Sequence, residues 1–285
     1  MSKEKVLVVG LGEVGIPLYE LLKETAVFDV YGLDIDKEKT RRLNQAALPS
    51  SIDIMHICVP CISRQKLVNT TTDYIKQYAP KLVIIESTVS PQTTMDVHMH
   101  CKPCLVAHSP IRGVHKSVEH MKWEIRRWTK YVGGATPDAA QAARKHFEKM
   151  GLKTKVLKSS LETELGKLYE TTYRAWMIIC FQEMHRIARH LNANFDDAVD
   201  FLADTHCTRL DRPIMYPGEI AGHCLMPNVN LLLSSYDSEM LKMILKSNKK
   251  RKQELKDADV RREAEEVKKK AEAIQKDLME KCDGK

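Results

Sequence analysis

The first residues whose types and spacing could do chemistry are three glycines near the amino terminus. The aliphatic run at residues 6–9 is followed at once by Gly10-x-Gly12-x-x-Gly15, and a helical pattern of apolar residues begins after it. Gly10 permits a tight turn, Gly12 lets the backbone approach a pyrophosphate, and Gly15 lets the helix pack closely on the strand. The unpaired N–H groups that start this helix favour an anion. The stretch therefore predicts a dinucleotide-binding turn.

An acidic residue follows at the distance that this motif requires. A second strand-like run at residues 28–33 ends in Asp34, about 20 residues beyond the glycines. A carboxylate here accepts hydrogen bonds from the ribose hydroxyls of the adenosine and repels a 2′-phosphate, so we expect NAD rather than NADP. The alternative is a Rossmann-like domain that holds another nucleotide or none, because a fold alone does not fix a function.

Cysteines offer a second kind of chemistry. Cys224 stands in a Gly-His-Cys sequence after a Pro-Gly loop, and reactive thiols lie in partly exposed, electropositive settings. The alternative is a buried structural thiol. Two C-x-x-C pairs, Cys58 with Cys61 and Cys101 with Cys104, have a spacing found in zinc sites. Because Cys58 falls at a strand end that should face the core or the cofactor, we expect no metal.

Alternating strands and helices must position these residues. Apolar strand-like runs recur between helical patterns at residues 53–60, 81–86, 105–108, 130–134 and 154–157. This alternation predicts an α/β fold, a Rossmann-type doubly wound parallel sheet followed by a smaller all-α domain and a charged C-terminal helix. The predicted boundaries are 1–158 for the NAD-binding domain, 159–236 for the helical domain and 237–285 for the tail.

Two helical stretches could mediate association. Residues 164–191 form one long helical pattern, which we expect to connect the domains and to form a homodimer contact. In the tail, an apolar seam with steps of four and three predicts a short coiled coil or a helix laid on a groove that recruits a partner. The alternative is a solvated helix partly packed on its own domain. The seam consists of Val260, Ala264, Val267, Ala271, Ile274 and Leu278.

Composition limits the other functional classes. The chain has 285 residues, 43% of them hydrophobic, and a formal charge of +7. Much of the positive excess lies in the runs 246–256 and 268–270 without aromatic residues among them, so we expect no nucleic-acid binding. No apolar run approaches the length of a membrane span, no signal peptide is evident, and we interpret the eight cysteines as reduced thiols. These features predict a cytoplasmic protein.

Several motifs together resemble the nucleotide-sugar 6-dehydrogenases, the UDP-glucose/GDP-mannose dehydrogenase family. The resemblance runs from residue 5 to about residue 233, and its landmarks occur in the family's order. They are GLGEVG at 10–15, YGLD at 31–34, ICVP at 57–60, ESTVSPQTT at 86–94, Ser-Pro at 109–110, KLYETTYR at 167–174, and Pro-Gly with Gly-His-Cys at 217–224.

The resemblance implies two successive oxidations of a sugar CH2OH to a carboxylate with reduction of two NAD. Cys224 would be the nucleophile that captures the intermediate aldehyde, and Lys167 would stabilise an oxyanion or relay a proton. Thr171 and Asn228 occupy two further catalytic positions. Thr88 would lie near the nicotinamide. The resemblance also assigns the cofactor loop and the following strand end to dinucleotide binding, namely Gly10, Gly12, Glu13, Val14, Gly15, Asp34, Val59 and Pro60.

The chain departs from the family pattern at three acid or base positions. The family's Glu after Ser-Pro is Ile111 here, its Asn is Thr171, and its Asp is Asn228. An isoleucine cannot relay a proton, and an amide cannot act as a carboxylate base. One residue is missing from the loop before Cys224, and the charged tail stands where the family has a C-terminal domain that holds the nucleotide of the substrate.

Three functions remain open at this point. The first is an NAD-dependent oxidoreductase of the nucleotide-sugar type that uses Cys224. The second is a single-step β-hydroxyacid-type dehydrogenase that uses Lys167 and does not need Cys224. The third is a catalytically degenerate NAD-binding protein that regulates or recruits a partner through its tail.

Overall fold

The computed structural model describes residues 3–44, 47–222 and 224–283, with side chains to residue 278. The chain forms two compact units, Met1–Leu168 and Tyr169–Lys285, and each is described by itself. The three-part division given above stays a prediction. None of the helices in these described ranges is long and apolar enough to cross a membrane.

The first unit alternates strands with helices. The strands are β1 (Glu4–Val9), β2 (Phe28–Leu33), β3 (Ile54–Ile57), β4 (Leu82–Ile85), β5 (Leu105–His108), β6 (Lys130–Gly134) and β7 (Thr154–Val156). The helices are α1 (Gly15–Glu24), α2 (Lys37–Leu43), α3 (Arg64–Tyr78), α4 (Thr93–His100), α5 (Val118–Arg127) and α6 (Pro137–Lys149). The sequence pattern missed α5, although Ser117 caps it by accepting a hydrogen bond from the His120 amide.

The seven strands form one sheet in the order β2-β1-β3-β4-β5-β6-β7. β1 to β5 are parallel, which confirms the predicted Rossmann-type α/β fold. The expectation of a wholly parallel sheet was wrong at one edge, because β6 pairs antiparallel with β5 while β7 runs parallel to β6. The reversal places the start of β6 at the carboxyl end of β5.

Helices cover both faces of the sheet. Along β1, Val6 and Val8 belong to a core with α1, α5 and α6, whereas Leu7 and Val9 belong to the opposite core with α3 and α4. Since successive side chains of a strand point to opposite faces, a fully apolar strand must be buried on both. This packing explains why the strands read as continuous apolar runs.

One face of the sheet also buries charged groups. His56, on β3, contacts Glu86 Oε1 at 3.0 Å through Nδ1 and His146 at 2.9 Å through Nε2. The other oxygen of Glu86 accepts a hydrogen bond of 2.5 Å from Lys130. Burial would raise the pKa of Glu86, but Lys130 and His56 outweigh it and hold that pKa below its usual value. This buried network joins β3, β4, β6 and α6 across the sheet.

The second unit is helical. It contains most of α7 (Ser160–His190), followed by α8 (Phe195–Arg209), α9 (Leu225–Leu233), α10 (Glu239–Glu254) and α11 (Ala258–Asp283). The predicted charged tail therefore forms two helices. The α11 seam packs on α7 and α8 of the same unit, where Ala264 and Val267 are fully buried. The tail thus matches the alternative of a helix packed on its own domain.

Two side chains anchor the first turns of α7 to the first unit. Glu164 is fully buried and accepts hydrogen bonds from the amides of Gln92 (2.6 Å) and Thr94 (2.8 Å), which start α4. His108, at the end of β5, donates from Nε2 to the Ser87 carbonyl (3.1 Å), and its Nδ1 lies 2.8 Å from the Thr163 hydroxyl. Burial lowers the pKa of His108 to about 4, so the ring is neutral at neutral pH.

We expect His108 to make the free energy of unfolding depend on pH between about 6.5 and about 4. Its pKa is about 4 in the folded protein and about 6.5 in an unfolded chain. The unfolded chain therefore binds more protons in this interval, and stability that is complete above pH 6.5 is lost as the pH falls. The loss attributable to this side chain is roughly 3 kcal/mol.

Urea unfolding of the wild type and of His108→Gln across this interval checks the expectation. Glutamine can donate to Ser87 and accept from Thr163 but does not titrate, so the variant should lose less stability on acidification. His100→Gln, at an exposed position on α4, should keep the wild-type pH dependence. Equal pH dependence in the wild type and His108→Gln would contradict the assignment.

Candidate functional site

The glycine turn joins β1 to α1 through a close backbone approach. Gly10 has a φ of 91°, and its amide donates to the Leu33 carbonyl at 2.7 Å. A Cβ at Gly10 would lie 2.9 Å from the Cys58 backbone, and a Cβ at Gly15 would lie 1.8 Å from the Gly10 oxygen. Both positions therefore require glycine, as the motif predicts, and the turn contacts the loop that follows β3.

The start of α1 offers room for an anion. No described atom lies within 4 Å of the place that a Cβ on Gly12 would occupy. Glu13 is exposed and Val14 is the N-cap residue, whose side chain cannot cap the helix. The first helical turn, Gly-Ile-Pro-Leu, carries no carboxylate, so a phosphate at the amino end of the helix would meet the positive end of the helix dipole without a negative side chain in that turn. The predicted loop thus fits a dinucleotide pyrophosphate.

Asp34 lies beside this turn. Its carboxylate accepts hydrogen bonds from the amides of Leu11 (2.6 Å) and Asp36 (2.9 Å). Each carboxylate oxygen can accept more than one hydrogen bond, so ribose hydroxyls can still bind there. Lys39, which the sequence pattern did not identify, reaches the Leu11 carbonyl at 3.4 Å and adds a positive charge near the loop.

The ends of β3 and β4 meet at the same edge of the sheet. The Ser87 hydroxyl lies 2.6 Å from the Val59 carbonyl and 3.2 Å from the Ile57 carbonyl. This bond holds the Val59-Pro60 segment next to Thr88, which is half-buried. Together with Gly10, these residues border the crevice where the strand order reverses between β1 and β3, the usual dinucleotide position in such sheets.

Lys167 lies on α7 and is half-buried. Burial is the main cause of the low pKa of His108, and the charges of Lys130 and Lys167 lower it further. Lys167 is therefore within electrostatic reach of His108, which bonds the carbonyl of Ser87 immediately before Thr88. Sequence reasoning missed His108 because its partners are distant along the chain.

Three predicted catalytic residues belong to the second unit. Cys224 is half-buried and is the N-cap residue of α9. Asn228 follows one turn later, and its side-chain amide donates to the Thr171 hydroxyl at 3.1 Å. His223, the middle residue of the Gly-His-Cys motif, lies outside the described residues.

Other expected features concern acid–base groups and metals. Ile111, at the position of the family's glutamate, is 6% exposed and packs in the core with α1 and α5, so it supplies no proton.

Within the described ranges, no group of three or more His, Cys, Asp or Glu side chains could hold a metal ion. Burial raises the pKa of Cys104 to about 12, which makes it a structural thiol.

Comparison with known proteins shows which family the chain is similar to. Residues 161–250 match the family model of the UDP-glucose/GDP-mannose dehydrogenase family, central domain. The chain is 28% identical over 262 residues to a UDP-N-acetyl-D-mannosamine dehydrogenase of Methanocaldococcus jannaschii, which covers 78% of this chain and 60% of that protein. The chain therefore resembles the UDP-glucose/GDP-mannose dehydrogenase family, with the model match confined to the family's central domain. It spans about 60% of the length of the curated relatives it matches.

Solved structures share the fold of this chain. The UDP-D-ManNAc dehydrogenase of Pyrococcus horikoshii matches with a TM-score of 0.70 and 23% identity, over 86% of this chain and 68% of that one. A 3-hydroxyisobutyrate dehydrogenase of Mycobacterium tuberculosis matches with a TM-score of 0.65 and 16% identity, over 90% of this chain and 95% of that one. Both likenesses show the fold alone. Similarity to dehydrogenases of this kind implies a nicotinamide cofactor, whose phosphates the turn at residues 10–15 fits.

The glycine turn supports a prediction that separates folding from binding. In Gly12→Ala the added methyl enters open space, so the melting temperature should stay within about 2 °C of the wild type. The methyl occupies the space over the start of α1, so NAD should bind at least about tenfold more weakly. Calorimetric titration with NAD and thermal unfolding measure the two effects.

Gly15→Ala is the matched variant. Its methyl would collide with the Gly10 carbonyl, so the melting temperature should fall together with NAD binding. If Gly12→Ala binds NAD as tightly as the wild type, the dinucleotide does not lie over this helix start.

Proposed function

We propose that this protein is an NAD-dependent oxidoreductase that oxidises the primary alcohol of a nucleotide sugar through a thiohemiacetal on Cys224. UDP-N-acetyl-D-mannosamine is the first substrate to test, because the relatives described above are dehydrogenases of that compound. The single observation that carries the proposal is the position of Cys224 as the N-cap residue of α9, one turn before Asn228. We further propose that it acts in the cytoplasm, since the seven cysteines with described side chains are all free thiols.

The residues of the first unit would bind and orient the cofactor. The turn at residues 10–15 holds the pyrophosphate, Asp34 accepts the adenosine ribose hydroxyls, and Thr88 borders the nicotinamide. The Asp34 carboxylate, which would repel a 2′-phosphate, favours NAD over NADP. When bound, NAD would accept a hydride in each of the two oxidations.

Residues of α7 and α9, with Cys224 at the start of α9, would handle the carbon that is oxidised. The Cys224 thiolate adds to the aldehyde carbon, and the new alkoxide takes up a proton, which gives a thiohemiacetal. Loss of a hydride from that carbon and of the hydroxyl proton leaves a thioester, and water then cleaves the C–S bond to release carboxylate and thiol. Thr171 and Asn228 can donate hydrogen bonds to oxygen but cannot act as carboxylate bases. Lys167 is the remaining candidate to stabilise the oxyanion.

Conversion of a UDP-sugar panel, with NADH formation and product analysis, tests this proposal. Cys224→Ser should reduce acid formation by more than about 100-fold because the hydroxyl is a far weaker nucleophile. Cys207→Ser, at an exposed position on α8, is the matched control and should behave like the wild type. Nearly intact turnover in Cys224→Ser would instead support single-step β-hydroxyacid-type oxidation with Lys167.

The single-step function is kept as the second candidate for one reason. The 3-hydroxyisobutyrate dehydrogenase fold matches this chain over nearly its whole length. The degenerate binding function would require NAD binding without turnover on any UDP- or GDP-sugar. A helical partner, if one exists, would have to contact the charged face of α11, because the apolar seam is buried on α7 and α8.

We also propose a homodimer through α7. Its apolar residues form two stripes, and the one that contains Leu168, Ala175 and Ile179 is buried within the chain. The other follows steps of three, four and seven and is exposed, with Tyr173 62% and Leu191 67% exposed. A row of exposed large apolar side chains marks an interaction surface. The exposed stripe consists of Tyr169, Tyr173, Cys180, Met184, Ile187 and Leu191.

Light scattering on the purified protein checks the dimer. The wild type should have twice the mass of the chain, and Ile187→Glu should shift it toward the mass of one chain, because a carboxylate would be buried unpaired. Phe201→Glu, an equally apolar exposed position on α8, should leave the dimer intact. A wild-type mass of one chain would remove the proposal.

A further inference from the structure

The loop before Cys224 is held by side chains from three helices of its own unit. The loop residues 214–220 are buried or half-buried, although the segment has no regular secondary structure. Irregular backbone in a buried position needs partners for its N–H and C=O groups. Side chains of α7 and α10 bond backbone groups of the loop, and the tail helix α11 bonds the side chain of Tyr216.

Asn248 of α10 bonds both backbone groups of Ile220. Its side-chain oxygen accepts from the Ile220 amide at 2.7 Å, and its side-chain nitrogen donates to the Ile220 carbonyl at 3.1 Å. Asn248 is 8% exposed and Ile220 is 5% exposed. A buried amide that pairs with both groups of one residue fixes the position and the orientation of that peptide segment.

Gln182 of α7 holds the loop two residues earlier. Its amide nitrogen donates to the Gly218 carbonyl at 2.7 Å, while its own oxygen accepts from Ser247 of α10 at 2.7 Å. Gln182 is fully buried. The two bonds tie α7, the loop and α10 together at one point.

The tail helix completes the support through Tyr216. The Tyr216 hydroxyl donates to Glu265 of α11 at 2.9 Å, and burial followed by this bond raises the pKa of Tyr216 to about 12. The Tyr216 ring lies against Gly218, where any Cβ would approach it to 2.2 Å. Lys268 of α11 lies over the same ring at 5.2 Å. The ring therefore connects α11 to the backbone of the loop.

We propose that α10 and α11 brace the loop 216–222, and that Asn248, Tyr216 and Glu265 are positioning residues for the thiol of Cys224. This inference rests on the proposed role of Cys224 and gives the C-terminal helices a part in the reaction. A nucleophile must be held in a defined geometry to attack efficiently, and residues that act through hydrogen bonds to the loop can supply that restraint. A loosened loop should expose the half-buried thiol and at the same time misplace it.

The test measures the loop directly in the full-length chain. In Asn248→Leu, which keeps the branched shape of the side chain and removes both hydrogen bonds, amide hydrogen exchange over residues 216–222 should accelerate by about tenfold or more. Alkylation of Cys224 by iodoacetamide, resolved by peptide mass spectrometry, should accelerate severalfold. Exposed Cys207 should react at an unchanged rate, and buried Cys101 and Cys104 should stay protected.

Further variants separate the brace from general destabilisation. Glu265→Ala and Tyr216→Phe remove the same hydrogen bond and should each accelerate exchange in the loop to a smaller degree. Glu265→Gln still accepts from Tyr216 and should behave like the wild type, as should Lys249→Ala at an exposed position on α10. These milder variants serve as the test if Asn248→Leu does not fold.

The outcomes distinguish this inference from the proposed function. Wild-type exchange in the loop of Asn248→Leu, or equal acceleration of alkylation at all cysteines, would overturn the brace. Neither measurement needs turnover, so a chain that oxidises no sugar could still have the brace. If acid formation is observed, Asn248→Leu should lower kcat and leave the affinity for NAD unchanged, since Asn248 belongs to the second unit and the turn at residues 10–15 to the first.

Discussion

The arrangement of the first unit depends on one close contact, in which the carbonyl oxygen of Gly10 lies where any other residue at position 15 would carry its Cβ. This contact joins the end of β1 to the first turn of α1 and sets the direction in which the helix leaves the strand. The amino end of α1, which favours an anion, therefore follows the carboxyl edge of the sheet directly. The ends of β2, β3 and β4 reach the same edge, and Asp34, Val59 and Thr88 follow those strands.

Local patterns predicted these elements because their causes are local. Each of these patterns depends on residues a few positions apart. They are the glycine spacing, the apolar runs, and helix caps such as Thr136, which accepts a hydrogen bond from the Ala139 amide. The direction of β6 has no such signal. An apolar strand reads the same in both directions, and the 21 residues between His108 and Lys130 are long enough for a parallel crossover as well as for the observed return. Only packing of the whole sheet decides between them.

Some residues hold the site in place although they are not part of it. The sequence could not predict them, for a related reason. Glu164 bonds amides about 70 residues away, and Asn248 bonds a backbone segment 28 residues away. Neither the type of these two residues nor their sequence neighbours predict the partner of the side chain. Most buried side-chain hydrogen bonds go to backbone groups, which every residue provides. The proposed catalytic positions could be predicted from motifs, whereas the bonds that hold them in place could not.

The tail shows that an apolar seam in a helix does not by itself predict a partner molecule. A seam with steps of four and three fits a groove on another molecule or a groove on its own chain equally well, because both bury one apolar stripe. In α11 the small residue Ala264 lets the helix approach its neighbours closely, and polar groups beside the seam find partners in the same unit. Arg251 of α10, only 1% exposed, donates to the Gln182 carbonyl at 2.6 Å and contacts His185, whose ring also contacts Glu263. A charged residue buried in this way makes α10 and α11 part of the folded core, which is why changes in these helices can reach the loop before Cys224.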